Sequence, residues 1–517
     1  MGSCFLRPFV LLPALLIFHA CADDSGEAPR EPSADVIEGD AIAPPPEMSR
    51  LRAEGTSIVD EDGTPVPLRG LNLGAWMFHE TWITLFDYSV QSRVYALGVE
   101  MGIEDEVTAA LQVVGPLVAA GMVPIWGSLE DPDESGWVVA FGAALEAEIG
   151  AENASAFMAQ LDGYLPTIYS DTDLPMRDKL EARFGWEGRD ELQDVFMEAW
   201  IREDDIAWIA AQGFSLVRIG MSWRTLTTGP GTEEPTELTW NEAVLQRLDQ
   251  VLDWCRTHGL YAVLDIQEAP GGQNAYTHER GRLYDSPEMQ ALTIEMWEML
   301  SARYRDRNEV AAYSLLAEPM SAPSAEARDE MYDRLIKAVR AQEDDRLIIL
   351  HDGFLGGGPA SFPDPADYGW ENVIYSTHVF EWNVSNLAQL ELLLLVYEQQ
   401  FAEVQEQTGV PFYLGSFSPI WDEEWAYEGA ERIVEWCERE GYPWSLWTYK
   451  RIDDPHDEIV WGDTSAWGVV SRLEGDWDRP DAFRDDLDTL RVKIAEYATI
   501  PLAVNERLLE ALTVFRR

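Results

Sequence analysis

Asn241-Glu-Ala-Val-Leu-Gln-Arg-Leu-Asp-Gln-Val-Leu-Asp-Trp-Cys-Arg-Thr-His258 and, one residue on, Leu260-Tyr-Ala-Val-Leu-Asp-Ile266 decide how this chain is read. In the first stretch apolar residues return every three or four positions, the period of a helix that buries one face. The second is a short apolar run of strand length. The unit recurs. Apolar runs lie at 67–73, 214–219, 260–266, 311–316, 347–351, 373–378, 411–415 and 443–447, and amphipathic stretches at 241–258, 287–304, 325–343, 386–407 and 427–440 lie between them. Eight strands alternating with helices predict an α/β fold, a (β/α)8 TIM barrel, with its chemistry at the carboxyl ends of the strands.

The alternation breaks once, at residues 88–187 between the first and second strands. That segment is Ala-rich and helix-prone, and reads either as an inserted cap at the barrel mouth or as a helical decoration on its side. The barrel is expected over 51–500. The tail from Asp481 reads as closing helices, with 501–517 the last helical segment.

With 517 residues, 46% hydrophobic and 11% aromatic, the chain has ample material for a large core. A formal charge of −56 argues against nucleic acid or an anionic membrane surface as partner, since both would be repelled. It fits a solvated acidic surface or a salty habitat. Arg7 followed by the apolar run 9–18, too short to span a bilayer, reads as an export signal over 1–21. Phe18-His-Ala-Cys21 has the form of a loose lipobox with Cys21 as lipid anchor, and Ala20-Cys-Ala22 also suits ordinary signal cleavage. Residues 22–50, rich in Pro, Glu, Ala and Ser, read as a disordered linker or tether. The expected place is the cell envelope, or the exterior if the leader is simply cleaved. Cys255 and Cys437, each beside a Trp in an amphipathic run, read as packed thiols, so no disulfide framework is expected. The seven histidines form no metal-ligand cluster, and neither metal nor cofactor is expected. A monomer is expected.

Several strand ends carry motifs: Leu68-Arg-Gly-Leu-Asn-Leu-Gly-Ala-Trp76 with Glu80-Thr-Trp-Ile-Thr84, Phe214-Ser-Leu-Val-Arg-Ile219, Asp265-Ile-Gln-Glu-Ala-Pro-Gly-Gly-Gln-Asn274, and Ser445-Leu-Trp-Thr-Tyr449. Together they resemble glycoside hydrolase family 5, especially its exo-β-1,3-glucanase-like branch, over most of 51–490. The resemblance implies a retaining glycosidase, in which one Glu protonates the leaving oxygen and a second, about 5 Å away, attacks the anomeric carbon. Glu318, before Pro319, aligns with the acid/base. Ser416 stands at the nucleophile position, and a serine hydroxyl offers neither that nucleophilicity nor that charge. Arg218 and His378 match the family's strand-end Arg and sixth-strand His, and Trp447 its sugar-stacking Trp. The implied substrate contacts are Trp76, Glu80, Gln267, Asn274, Ala317, Phe380 and Trp447. Three of them depart from the family's residues: Gln267 replaces His, Ala317 replaces Asn and Phe380 replaces Tyr. Loss of the Asn that holds the sugar 2-hydroxyl should itself slow catalysis.

Trp82, Trp223, Trp382, Trp421, Trp425 and Trp461 also fall at or after strand ends and add to the candidate sugar platform. The leading expectation is recognition of β-glucan or another β-linked glycan by a degenerate hydrolase. Turnover remains open by three routes. A relocated carboxylate (Glu268, Glu381, Asp422, Glu423 or Glu424) would activate water for inversion; water or an anion would occupy the space beside Ser416; or an activated α-glycosyl donor would be used. A further expectation is a surface scaffold whose insertion binds a protein partner.

Overall fold

The structure, a computed structural model, describes residues 47–84, 86, 90–119, 136–163, 174–231, 235–275, 281–353, 358–380, 384–419, 422–452, 467–473 and 477–516. The segment expected as export signal, with Cys21, and most of the expected linker lie outside these residues.

Eight parallel strands close into a barrel: β1 (Arg69–Asn72), β2 (Leu216–Ser222), β3 (Tyr261–Glu268), β4 (Val310–Ser314), β5 (Leu347–His351), β6 (Val373–Val379), β7 (Phe412–Phe417) and β8 (Trp444–Leu446). Closure runs through β8 against β1, with Ser445 opposite Gly70. Each apolar run read from the sequence is one of these strands. They are almost continuously buried, as strands with helices on one side and a filled lumen on the other must be. The crossover helices start where polar caps permit. Asn241, Ser286, Ser324 and Asn386 each accept a backbone N–H at the helix start, and left-handed glycines such as Gly259 (φ 72°) end them.

A two-stranded hairpin (Arg52–Glu54 with Ser57–Val59) precedes the barrel. Its Ile58, with Leu51, packs against Leu216, Val263, Ala311 and Leu347 near the amino ends of the strands, so it plugs the barrel floor. This hairpin was not legible in the sequence, and the linker expectation ends early. Met48 and Ser49 accept side-chain hydrogen bonds from Asn308 (2.9 Å) and Tyr261 (3.0 Å), and Arg50 pairs with Asp344 (2.6 Å). Residues 48–50 are thus tied to the floor.

Between β1 and β2 stand helices Val90–Met101, Glu104–Ala119, Gly136–Ile149, Ala151–Leu161 and Leu174–Trp200, the last broken at Gly185 (φ 75°) and reaching beyond the expected end at 187. The first four enclose a separate apolar cluster around Leu97, Val107, Leu111, Trp137, Phe141 and Phe157. Buried Arg93 joins this group to Asp481 in the C-terminal segment at 2.8 Å. The tail corrects the all-helical expectation. Leu487–Ala495 and Glu506–Leu512 are helical, but Leu502–Val504 is a strand, antiparallel to Val470–Leu473. Cys255 and Cys437 are buried free thiols, as expected.

Candidate functional site

At the carboxyl ends of the strands a buried polar network begins on β2. The Arg218 guanidinium donates to Asn72 Oδ1 on β1 (2.9 Å) and, on β3, to Asp265 Oδ2 (2.9 Å) and Gln267 Oε1 (3.3 Å). Burial pushes the Asp265 carboxyl up, and the Arg218 charge opposes that shift. Asp265 and Gln267, two apart on one strand, share the lumenal face. Glu268, one residue further and just past a shift in the register of β2 and β3, is 1% exposed; it accepts from the Ser222 hydroxyl and pairs with the Arg224 guanidinium. Glu268, expected as a candidate relocated base, is thus engaged in a buried ion pair.

Glu318 follows β4 in the left-handed region, φ 44°, which is costly for a residue with a Cβ. Its carboxylate is held on both oxygens. His378 Nδ1 on β6 lies 2.6 Å from Oε1, close enough to share a proton, and Asn274 Nδ2 donates to Oε2 at 3.3 Å. Burial pushes the Glu318 carboxyl above its ordinary value, with His351 and Arg218 opposing. Burial also holds His378 and His351 well below the usual imidazole range, so both rings are neutral near pH 7. The two rings meet edge to face, centroids 4.2 Å apart. A neutral His beside a carboxyl with a raised pKa is the setting of a general acid, and 15% of the Glu318 side chain remains open to solvent.

β7 differs. Ser416 is the register partner of His378. A Cβ at Gly415 would stand 2.8 Å from Ser376 Oγ and 3.0 Å from His378 Nε2, so only glycine lets β7 press this closely on β6. Ser416 is 1% exposed, and its Oγ is buried without a hydrogen-bond partner. Beyond it, Phe380 after β6 stacks on Trp467 after β8 (5.6 Å, 15°), and Trp82 meets Trp467 edge-on (5.4 Å). The loops that flank β7 therefore meet at the rim.

Arg218 with Gln267, and Asn274 and His378 with Glu318, form two hydrogen-bonded groups at this mouth, and Phe380 lies edge-on to His378 at 6.3 Å. Ala317 is buried, its N–H donating to Ile266 O at 2.9 Å. Trp447, 7% exposed, is joined to Thr448 by a cis peptide bond and packs on Gly74, where a Cβ would lie 3.4 Å from the indole. Glu80 Oε1 accepts from Trp82 Nε1 at 3.1 Å. Trp76 is corrected: it is 2% exposed, its Nε1 donates to Met197 O (3.0 Å), and it belongs to the core beneath the β1 loop. Trp223 is likewise buried. Trp425 Nε1 donates to Glu423 at 2.8 Å; Asp422 accepts from Tyr427, and Glu424 pairs with Arg507. Glu381, Trp382, Trp421 and Trp461 lie outside the described residues. His351, Gln273 and Trp467 were missed in the sequence, although Gln273 stands inside the quoted motif before Asn274.

Comparison with known proteins accords with this geometry. Residues 181–452, more than half of the chain, match the cellulase family, glycosyl hydrolase family 5. A beta-xylosidase of Phanerodontia chrysosporium is 25% identical over 432 residues, covering 78% of this chain and 71% of that protein. A probable glucan 1,3-beta-glucosidase A of Aspergillus fumigatus is 27% identical over 221 residues, 40% of this chain and 49% of that protein, so the match spans about half of that relative. The crystal structure of an endogalactoceramidase superimposes with a TM-score of 0.50 at 16% identity, over 90% of this chain and 85% of that one, and shares the fold. The chain belongs to glycosyl hydrolase family 5.

Proposed function

We propose that this barrel is an exported receptor for β-glucan or a related β-linked glycan, in which retaining hydrolysis has been lost. One observation carries the reading: Ser416, sealed and unpartnered, stands opposite His378 where the family's chemistry needs a second carboxylate. The relatives, a beta-xylosidase and a probable glucan 1,3-beta-glucosidase, support the substrate class. Water or an anion seated on Ser416 is disfavoured, because the hydroxyl has almost no solvent contact. Of the acids considered for a relocated base, Glu268 is buried in its pair with Arg224, and Asp422, Glu423 and Glu424 already hold side-chain partners. Glu381 lies outside the described residues; among those described, what remains is an acid poised over a site without its nucleophile. Such a site would hold a sugar by hydrogen bonds and stacking rather than transform it.

The test is to follow binding and sugar release together when the full chain meets β-1,3-, β-1,4- and mixed-linkage glucans, beside Glu318→Gln. Binding without release is expected. Release that Glu318→Gln abolishes would establish an active glycosidase instead, and absence of any glycan binding would favour the protein-binding scaffold.

A further inference from the structure

Nothing in the sequence reading gave Gln273 a task, yet its amide is fully engaged inside the protein. It is 0% exposed. Oε1 accepts the Ala269 N–H at 3.0 Å, while Nε2 donates to Gln267 O and Ala317 O, both at 2.9 Å, with Ile266 O further off at 3.4 Å. An N–H on one side and carbonyls on the other fix which end of the amide is oxygen. The main chain of Gln273 adds a second tie, its carbonyl accepting the Ser321 N–H at 3.0 Å, and Ser321 Oγ accepts the Ala275 N–H at 2.9 Å.

These bonds straddle Glu318, whose backbone is left-handed. Ala317 O, which Gln273 holds, belongs to the peptide that leads into Glu318, and Ser321 N lies three residues beyond it. A left-handed non-glycine residue costs about 1–3 kcal/mol and persists only where its surroundings over-determine it. The next residue, Asn274, reaches the Glu318 carboxylate itself. We propose that Gln273 is a positioning residue, which clamps the peptides on either side of Glu318 so that the carboxyl meets His378 at 2.6 Å. A hydrophobic residue of similar size would leave buried carbonyls without donors and let the segment relax. The inference takes from the proposed function only that Glu318 is the working group of the site.

The test therefore uses no glycan. In the full chain, the proton shared by Glu318 and His378 in a bond this short should give a downfield proton NMR resonance, assigned by its disappearance in Glu318→Gln. Gln273→Leu is expected to lose that resonance or move it upfield while circular dichroism stays native. Gln273→Glu, which keeps the acceptor but not the two donors, is expected to do the same, and guards against a Leu variant that fails to fold. Gln290→Leu is the control, because Gln290 tethers the same loop from its far side through Leu283 O and Tyr284 O, both at 3.1 Å. It should leave the resonance in place. An unchanged resonance in Gln273→Glu, or an equal loss in Gln290→Leu, would overturn the assignment.

Discussion

The ends of β4 and β7 face the same mouth and have been treated in opposite ways. At β4 the backbone is held in a costly conformation, and both carboxylate oxygens of Glu318 are bonded. At β7 a small hydroxyl sits buried with no partner at all. Strain and a dense polar network survive only where surrounding bonds maintain them. On the proposed reading, the tied β4 end keeps a site shaped for a ligand, and the β7 end is where the chemistry was lost.

The largest effects are expected at the tied β4 side of the mouth. Arg218→Met should leave Asp265 buried without its cation, and loss of one partner of such a pair costs about 3–5 kcal/mol. Urea denaturation of this variant should show a shift of that size, and a change within error would mean that the network is not what braces the mouth.

Protonation tests the same side. Burial and the Arg177 charge lower His79, in the β1 loop, from 6.5 to about 3, with Nε2 lying 2.9 Å from Thr84 Oγ1. The folded chain then binds fewer protons than the unfolded chain between those values, so the contribution is complete above pH 6.5 and declines as pH falls towards 3. At pH 5 the loss from His79 is about 2 kcal/mol. In His79→Phe, whose new ring would join Phe86 and Phe196, the fall in stability between pH 7.5 and pH 5 should shrink by about that amount. An identical slope in both proteins would place the acid sensitivity elsewhere. His351 and His378, also lowered by burial, act with the same sign.

The smallest effect belongs to β7. Ser416→Ala removes an unsatisfied buried hydroxyl, so the chain should keep or gain stability, by about 1 kcal/mol at most, with glycan affinity unchanged. A destabilised Ser416→Ala would show that the hydroxyl has a role that its bare surroundings do not suggest.

Much of this was legible beforehand. The eight strands announced themselves because each is a buried apolar run, and five amphipathic helices, four of them with a polar cap, lie between them. The floor hairpin and the 502–504 strand escaped because three-residue pieces are too short to establish a period. Trp76 was misjudged, since a place after a strand end does not say whether an indole turns to the mouth or to the core. Gln273 and His351 were not legible, because their partners lie across loops and neighbouring strands.

The claim that the β7 residue is where hydrolysis was lost is tested most directly by Ser416→Glu, assayed for sugar release from β-glucans beside the native chain. A carboxylate restored opposite Glu318 should raise release by about 100-fold or more, within the range expected of a single catalytic group, and adding Glu318→Gln should remove the gain. A native chain that already releases sugar as fast as Ser416→Glu would contradict the account, as would a Ser416→Glu protein that binds glucan with its release unchanged.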